Sequence, residues 1–133
     1  MAYELTFYCQ TALDEPEVTL AKLFRQMAKG GTRVQVFGRG FAEGTMNAGL
    51  HLESDPPAKA IVVEISNDPE IATEVLAEDP TGRVKYANTI VRLSGTGINW
   101  VLVRAIWLAI EALWPTVAYD EVDGFDITVN MVS

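Results

Sequence analysis

Between Ile98 and Trp114 the chain carries seventeen residues of which only Asn99, Arg104 and Glu111 are polar. Such a run has few places to go. It has helical length, and Pro115 stops it, because a proline cannot continue a helix and disfavours the helical conformation in the residue before it. At about 1.5 Å per residue it would reach roughly 26 Å, slightly short of a bilayer core. A membrane span would also have to bury both Arg104 and Glu111, which lie seven residues apart on one stripe, and charges at mid-span are costly. The run is therefore expected to be a long apolar third helix in the interior of a globular fold. Trp100, Trp107 and Trp114 share another stripe at the same spacing. Tryptophans so placed are either core, as in helices that cover a sheet, or anchors of an interface between copies of the chain.

The rest of the chain supplies the sheet that such a helix would cover. Tyr3, Leu5, Phe7 and Cys9 alternate with Glu4, Thr6, Tyr8 and Gln10, the period of a strand with one buried face. Asp14, Glu15, Pro16 and Glu17 have the character of a helix start. Leu20, Leu23, Phe24 and Met27 then mark one helical face, which Gly30 and Gly31 terminate. Thr32 to Phe37 reads as a second strand, and Met46 to Leu52 as a third, with the glycine-rich segment 38–49 open between a mobile loop and an ordered hairpin. Ala60 to Ile65 is nearly continuous in apolar residues, as a central strand covered on both faces would be. Asn67 to Glu70 would cap a shorter second helix with Ile71, Val75 and Leu76 on its apolar face. Arg83 to Leu93 is rich in strand formers, and Ser94 to Gly97 is a break. Val117 to Val132 reads as a hairpin turned at Asp123-Gly124.

Strands in runs, interrupted by helices, predict an α+β layered fold: a mostly antiparallel or mixed sheet covered by two or three helices, with a C-terminal β-hairpin. A length of 133 residues suits a single domain over 1–133. Cys9 is the only cysteine, which excludes an internal disulfide. No basic segment precedes an apolar run at the N-terminus, so a cytoplasmic protein is expected.

Function is much less constrained. The net charge of −8 disfavours nucleic acid and anionic membrane as partners, since both would repel the chain, and suits a basic protein. Asp120, Glu121, Asp123 and Asp126 crowd the predicted last hairpin. They lack the spacing of an EF-hand, and as a partner-binding surface they would speed the capture of a basic protein. His51 is the only histidine, and in an extended strand His51, Glu53 and Asp55 would point the same way. That trio is the candidate for a ligand or metal site, as a histidine with two carboxylates can bind a cation or act as a base. Ser94 to Gly97, opening the third helix, is a weaker candidate for an anion. Cys9 falls on the apolar side of its strand, where a thiol behaves as a small hydrophobe. No nucleophile motif surrounds it.

No cofactor and no catalytic residue are expected from these features. The leading expectation is a small acidic non-catalytic protein-binding module of inhibitor or immunity-protein character. The alternatives are a small enzyme or ligand binder using His51, Glu53 and Asp55, and a subunit that self-assembles through the helix from Ile98 to Trp114.

Overall fold

The computed structural model describes residues 3–11, 15–42, 45–54, 60–67, 88–95, 100–120 and 124–125. The alternating segment at the start becomes β1 (Tyr3–Cys9). The amphipathic stretch becomes α1 (Pro16–Lys29). After it come β2 (Val34–Ala42), β3 (Thr45–Leu52), β4 (Ile61–Ser66) and β5 (Thr89–Gly95), then α2 (Trp100–Leu113), β6 (Thr116–Asp120) and the short β7 (Gly124–Phe125). All the strands join one sheet in the order β2-β3-β4-β5-β1-β6-β7, and every neighbouring pair is antiparallel. The α+β expectation therefore holds, with an antiparallel sheet. The predicted second helix lies outside the described residues.

Side-chain alternation gives the sheet two unlike faces. On one face Leu5, Phe7, Cys9, Met46, Ala48, Leu50, Ile61, Val63, Ile65, Val91 and Leu93 are buried and form one cluster with the inner faces of both helices. From α1 this cluster receives Leu20, Leu23 and Met27, and from α2 it receives Leu102, Val103, Ile106, Trp107, Ala109 and Ile110. Trp107 lies at its centre. Its indole stands edge-on to the Phe7 ring, with centroids 5.3 Å apart at 75°, the offset that aromatic quadrupoles favour.

Helix α1 begins with Pro16 at its first position, after Glu15 in an extended conformation. Its end is closed by two backbone bonds: the Thr32 amide donates to the Met27 carbonyl at 2.9 Å, and the Gly31 amide to the Ala28 carbonyl at 3.0 Å. This is the Schellman pattern, and Gly31 sits in it at φ +86°, a conformation that costs any residue with a Cβ. A Cβ at Gly31 would meet nothing within 4 Å, so the cost of replacing it is conformational alone. Gly31→Ala is expected to lower unfolding stability by about 1–2 kcal/mol, read as a shift of the urea midpoint with unchanged slope.

Of the two readings of the glycine-rich segment the hairpin holds: its described residues are paired strand, and residues 43–44 lie outside the described residues. Strand β2 runs nine residues to Ala42. The register passes from Phe37↔Gly49 to Gly40↔Asn47, so one extra residue is inserted. Gly38, at φ +62°, takes the left-handed conformation that such a bulge requires. Strand β5 likewise continues through Ser94 to Gly95, which pair with Glu4 and Tyr3. The first half of the expected break is thus ladder, and Thr96 and Gly97 lie outside the described residues.

Two further expectations are corrected. The helix near the C-terminus is neither long nor apolar all round. It has 14 residues, Trp114 follows it in a bend, and the Trp114 amide closes the last turn on the Ile110 carbonyl at 3.0 Å. Its outer face is exposed at Val101, Arg104, Leu108, Glu111 and Ala112. With helices on only one face of the sheet among the described residues, that side of α2 is left bare. The outer face of β4 is open at Val62, which is 47 % exposed, and closed at Ser66, which is buried. The tryptophan stripe divides accordingly: Trp107 and Trp114 are buried, and Trp100 is exposed. No helix among the described residues is long and apolar enough to cross a membrane.

Candidate functional site

The face of the sheet turned away from the helices is the surface on which the fold gathers its unlike residues. Register fixes the rows. Phe37 stands opposite Gly49, Gly49 opposite Val62, Val62 opposite Ser94, and Ser94 opposite Glu4. The next row carries Asn47, Glu64, Arg92 and Thr6.

Glycine at position 49 permits the first row. A Cβ there would lie 2.6 Å from the Phe37 ring, closer than real contacts allow, so the ring occupies the space a side chain would need. An aromatic ring lying over a strand glycine compensates for the packing the glycine lacks. Phe37 nevertheless remains 45 % exposed. Together with Val62 it makes an exposed apolar patch, whereas Ser66, Ile90 and Tyr8, one row beyond Arg92 on the same face, are buried. His51 borders the patch, its ring centroid 5.9 Å from that of Phe37. His51 Nδ1 is 2.8 Å from the Leu52 carbonyl. A carbonyl can only accept, so Nδ1 is the donor in this contact.

A cross-strand ion triad joins the two rows. Arg92 reaches Glu64 on β4 through Nη1 at 3.2 Å, and Glu4 on β1 through Nε at 3.2 Å. All three side chains are more than a third exposed. Each pair therefore contributes at most about 1 kcal/mol of stability. Its larger consequence is positional, because one guanidinium holds two carboxylates in place beside the Phe37–Val62 patch.

The sequence candidates are placed only in part. His51 is at the end of β3, half-buried. The strand stops at Leu52, and Glu53 is exposed in the following turn, its amide donating to the Arg33 carbonyl at 3.1 Å. Strand alternation therefore does not extend to Glu53, and Asp55 lies outside the described residues. No group of three or more His, Cys, Asp or Glu positioned to hold a metal occurs among the described residues. Of the hairpin acids, Asp120 ends β6, paired with Gly124; Glu121, Asp123 and Asp126 lie outside the described residues.

Cys9 is fully buried on the helix side of β1, whereas His51 lies on the other face, so the two do not meet. Burial pushes the thiol up from 9.0 to about 12, slightly opposed by the Thr116 hydroxyl 3.6 Å away. A thiol so protonated and enclosed is no nucleophile at neutral pH. Beyond it the β1 and β5 chains are joined by side chains in place of a ladder. Asn88 Oδ1 accepts from the Thr11 amide at 2.9 Å, Asn88 Nδ2 donates to the Thr11 carbonyl at 2.8 Å, and the Thr11 and Thr89 hydroxyls lie 2.9 Å apart. Every polar atom named here has a partner within the cluster, which is the arrangement of a structural clasp.

Phe37, Val62 and Arg92 are not among the sequence candidates. A signal for the first exists: a glycine inside a strand pattern marks close approach of another group. Against this geometry, no family model, no curated protein and no solved structure matches the chain.

Proposed function

We propose that this chain is a small acidic, non-catalytic protein-binding module for a basic partner, of inhibitor or immunity-protein character. The observation that carries the reading is the exposed patch at the β2–β4 end of the outer sheet face, where Phe37 and Val62 flank Gly49 beside the carboxylates of Glu4 and Glu64. Interfaces of this kind gain most of their affinity from a few apolar and aromatic anchors surrounded by a polar rim. A rigid ring seated on a glycine has little side-chain entropy left to lose on binding. The net charge of −8 adds long-range attraction for a basic protein and raises the rate of encounter. Asp120, Glu121, Asp123 and Asp126 are the acids proposed to steer that encounter.

The test is capture of partners from the native host's lysate on the tagged protein, at low and at high salt. A stoichiometric basic protein that is lost as salt rises is expected. Phe37→Ala should then weaken that complex by about 2 kcal/mol, roughly thirtyfold, as expected for an aromatic anchor. Charge reversal at Asp120, Glu121 and Asp123 should slow association and flatten the salt dependence. Binding that keeps its salt dependence after that reversal would remove the hairpin from the site. Binding indifferent to Phe37→Ala would remove the sheet face.

A further inference from the structure

The outer face of α2 is independent of the Phe37–Val62 patch, because it lies on the opposite side of the molecule. It presents Val101, Arg104, Leu108, Glu111 and Ala112 to solvent, with Val101 68 % and Leu108 46 % exposed. Val101, Arg104, Leu108 and Glu111 follow one another at helical spacings of three and four, and Ala112 lies four residues after Leu108, so they form one stripe. A sheet-covering helix normally places polar residues there. Arg104 and Glu111 are its charged members, and neither forms an ion pair among the described residues. They lie two turns apart, about 10 Å along the axis, beyond reach of each other. Beside Leu108, between α2 and the last turn of α1 at Met27 and Gly30, the surface dips into a cleft of about 140 Å³.

We infer that this stripe is an interface with a second copy of the same chain, with two α2 helices packed antiparallel about a twofold axis near Leu108. The charge pattern selects this occupant. An axis midway between positions 104 and 111 sets Arg104 of each copy level with Glu111 of its partner, so one stripe is complementary to itself. A twofold interface has this property: residue i meets j and j meets i. A parallel pairing in register would instead face arginine with arginine and glutamate with glutamate. At the axis Leu108 meets its symmetry mate, and the adjoining cleft gives that side chain room to insert. Val101 extends the apolar stripe toward one end and Ala112 toward the other, where its small side chain allows close helix approach.

The experiment is mass in solution by sedimentation, at about 100 μM protein, where a pair of micromolar affinity is mostly assembled. The full chain is expected to be a dimer. Leu108→Glu should make it monomeric, with a thermal melt equal to that of the wild type at dilutions where the wild type is also dissociated, since the side chain is half exposed and the substitution leaves the core intact. Arg104→Glu alone and Glu111→Arg alone should each weaken the dimer about tenfold, as two symmetric ion pairs turn repulsive. The double swap, Arg104→Glu with Glu111→Arg, should restore it. A monomeric wild type overturns the inference. So does a dimer that survives Leu108→Glu, which would place the contact on the β2 edge or the sheet face. A dimer weakened by the single changes and not rescued by the double swap overturns the antiparallel register.

Discussion

Trp107→Ala is expected to cost about 3–5 kcal/mol of unfolding free energy, the range found when a large aromatic is removed from a core. Trp107 has no exposed surface and is among the largest fully buried side chains. It also holds the contact between α2 and Phe7 of β1. Small domains are stable by only about 5–15 kcal/mol, so this one change would take a large share of the total. The indole adds a second feature. Its Nε1 is buried and has no hydrogen-bond partner among the described residues, and a buried donor left unpaired costs about 1–3 kcal/mol. Trp107→Phe removes that donor along with one ring, and keeps an aromatic surface against Phe7. It is therefore expected to lose clearly less than Trp107→Ala, the two differing by about 2 kcal/mol or more. Urea unfolding of both variants decides this. Equal losses would mean that the indole N–H is satisfied in solution.

The second large effect is alkaline. Burial raises the Cys9 thiol from 9.0 to about 12. The unfolded chain releases that proton near the ordinary value, whereas the folded chain keeps it. Above pH 9 the unfolded state therefore binds fewer protons, and stability falls as pH rises toward about 12. Below pH 9 the thiol is neutral in both states and the contribution is fully present. The expected loss between about pH 8 and about pH 11 is about 3 kcal/mol, from about 1.4 kcal/mol per pH unit across the window. Tyrosines and lysines titrate in the same range, so the informative quantity is a difference. Cys9→Ala should be less stable than the wild type at about pH 8, from the lost sulfur contacts, and the gap should close as pH rises to about 11. Parallel stability curves for the two proteins would show that the thiol ionises freely in the native state. Thiol-reagent kinetics provide an independent check: near neutral pH, Cys9 should react at the rate of global unfolding.

Much of the fold is legible along the chain. Strand β1 occupies the residues that its alternation marks, because a two-residue period collects Leu5, Phe7 and Cys9 on one side only when the backbone is extended. Helix α1 follows from the proline at its start, the spacing of Leu20, Leu23 and Met27, and the paired glycines at its end. These are local signals, and local physics decides them. The glycine-rich arm stays open between loop and hairpin because Gly38 and Gly49 carry the same letter for opposite reasons. Gly38 supplies a left-handed bulge, and Gly49 makes room for a ring from the neighbouring strand. Only pairing distinguishes them.

The site is less legible than the fold. His51 stands out as the only histidine, yet the strand ends before Glu53, so the alternation that would have joined the two does not apply. Phe37, Val62, Arg92, Glu4 and Glu64 come from four strands, and they are neighbours only because β2, β3, β4, β5 and β1 stand side by side in that order. What the amino-acid order determined by itself is which segments are strands and helices and which face of each is apolar, since hydrophobic period and backbone preference act over a few residues. What the tertiary structure alone decided is which parts of those faces are covered. Val62 of β4 and Val101 and Leu108 of α2 keep apolar surface in water, whereas Ile90 and Tyr8 on the same outer face of the sheet as Val62 are buried. Burial depends on what packs opposite, and no local pattern records whether anything does.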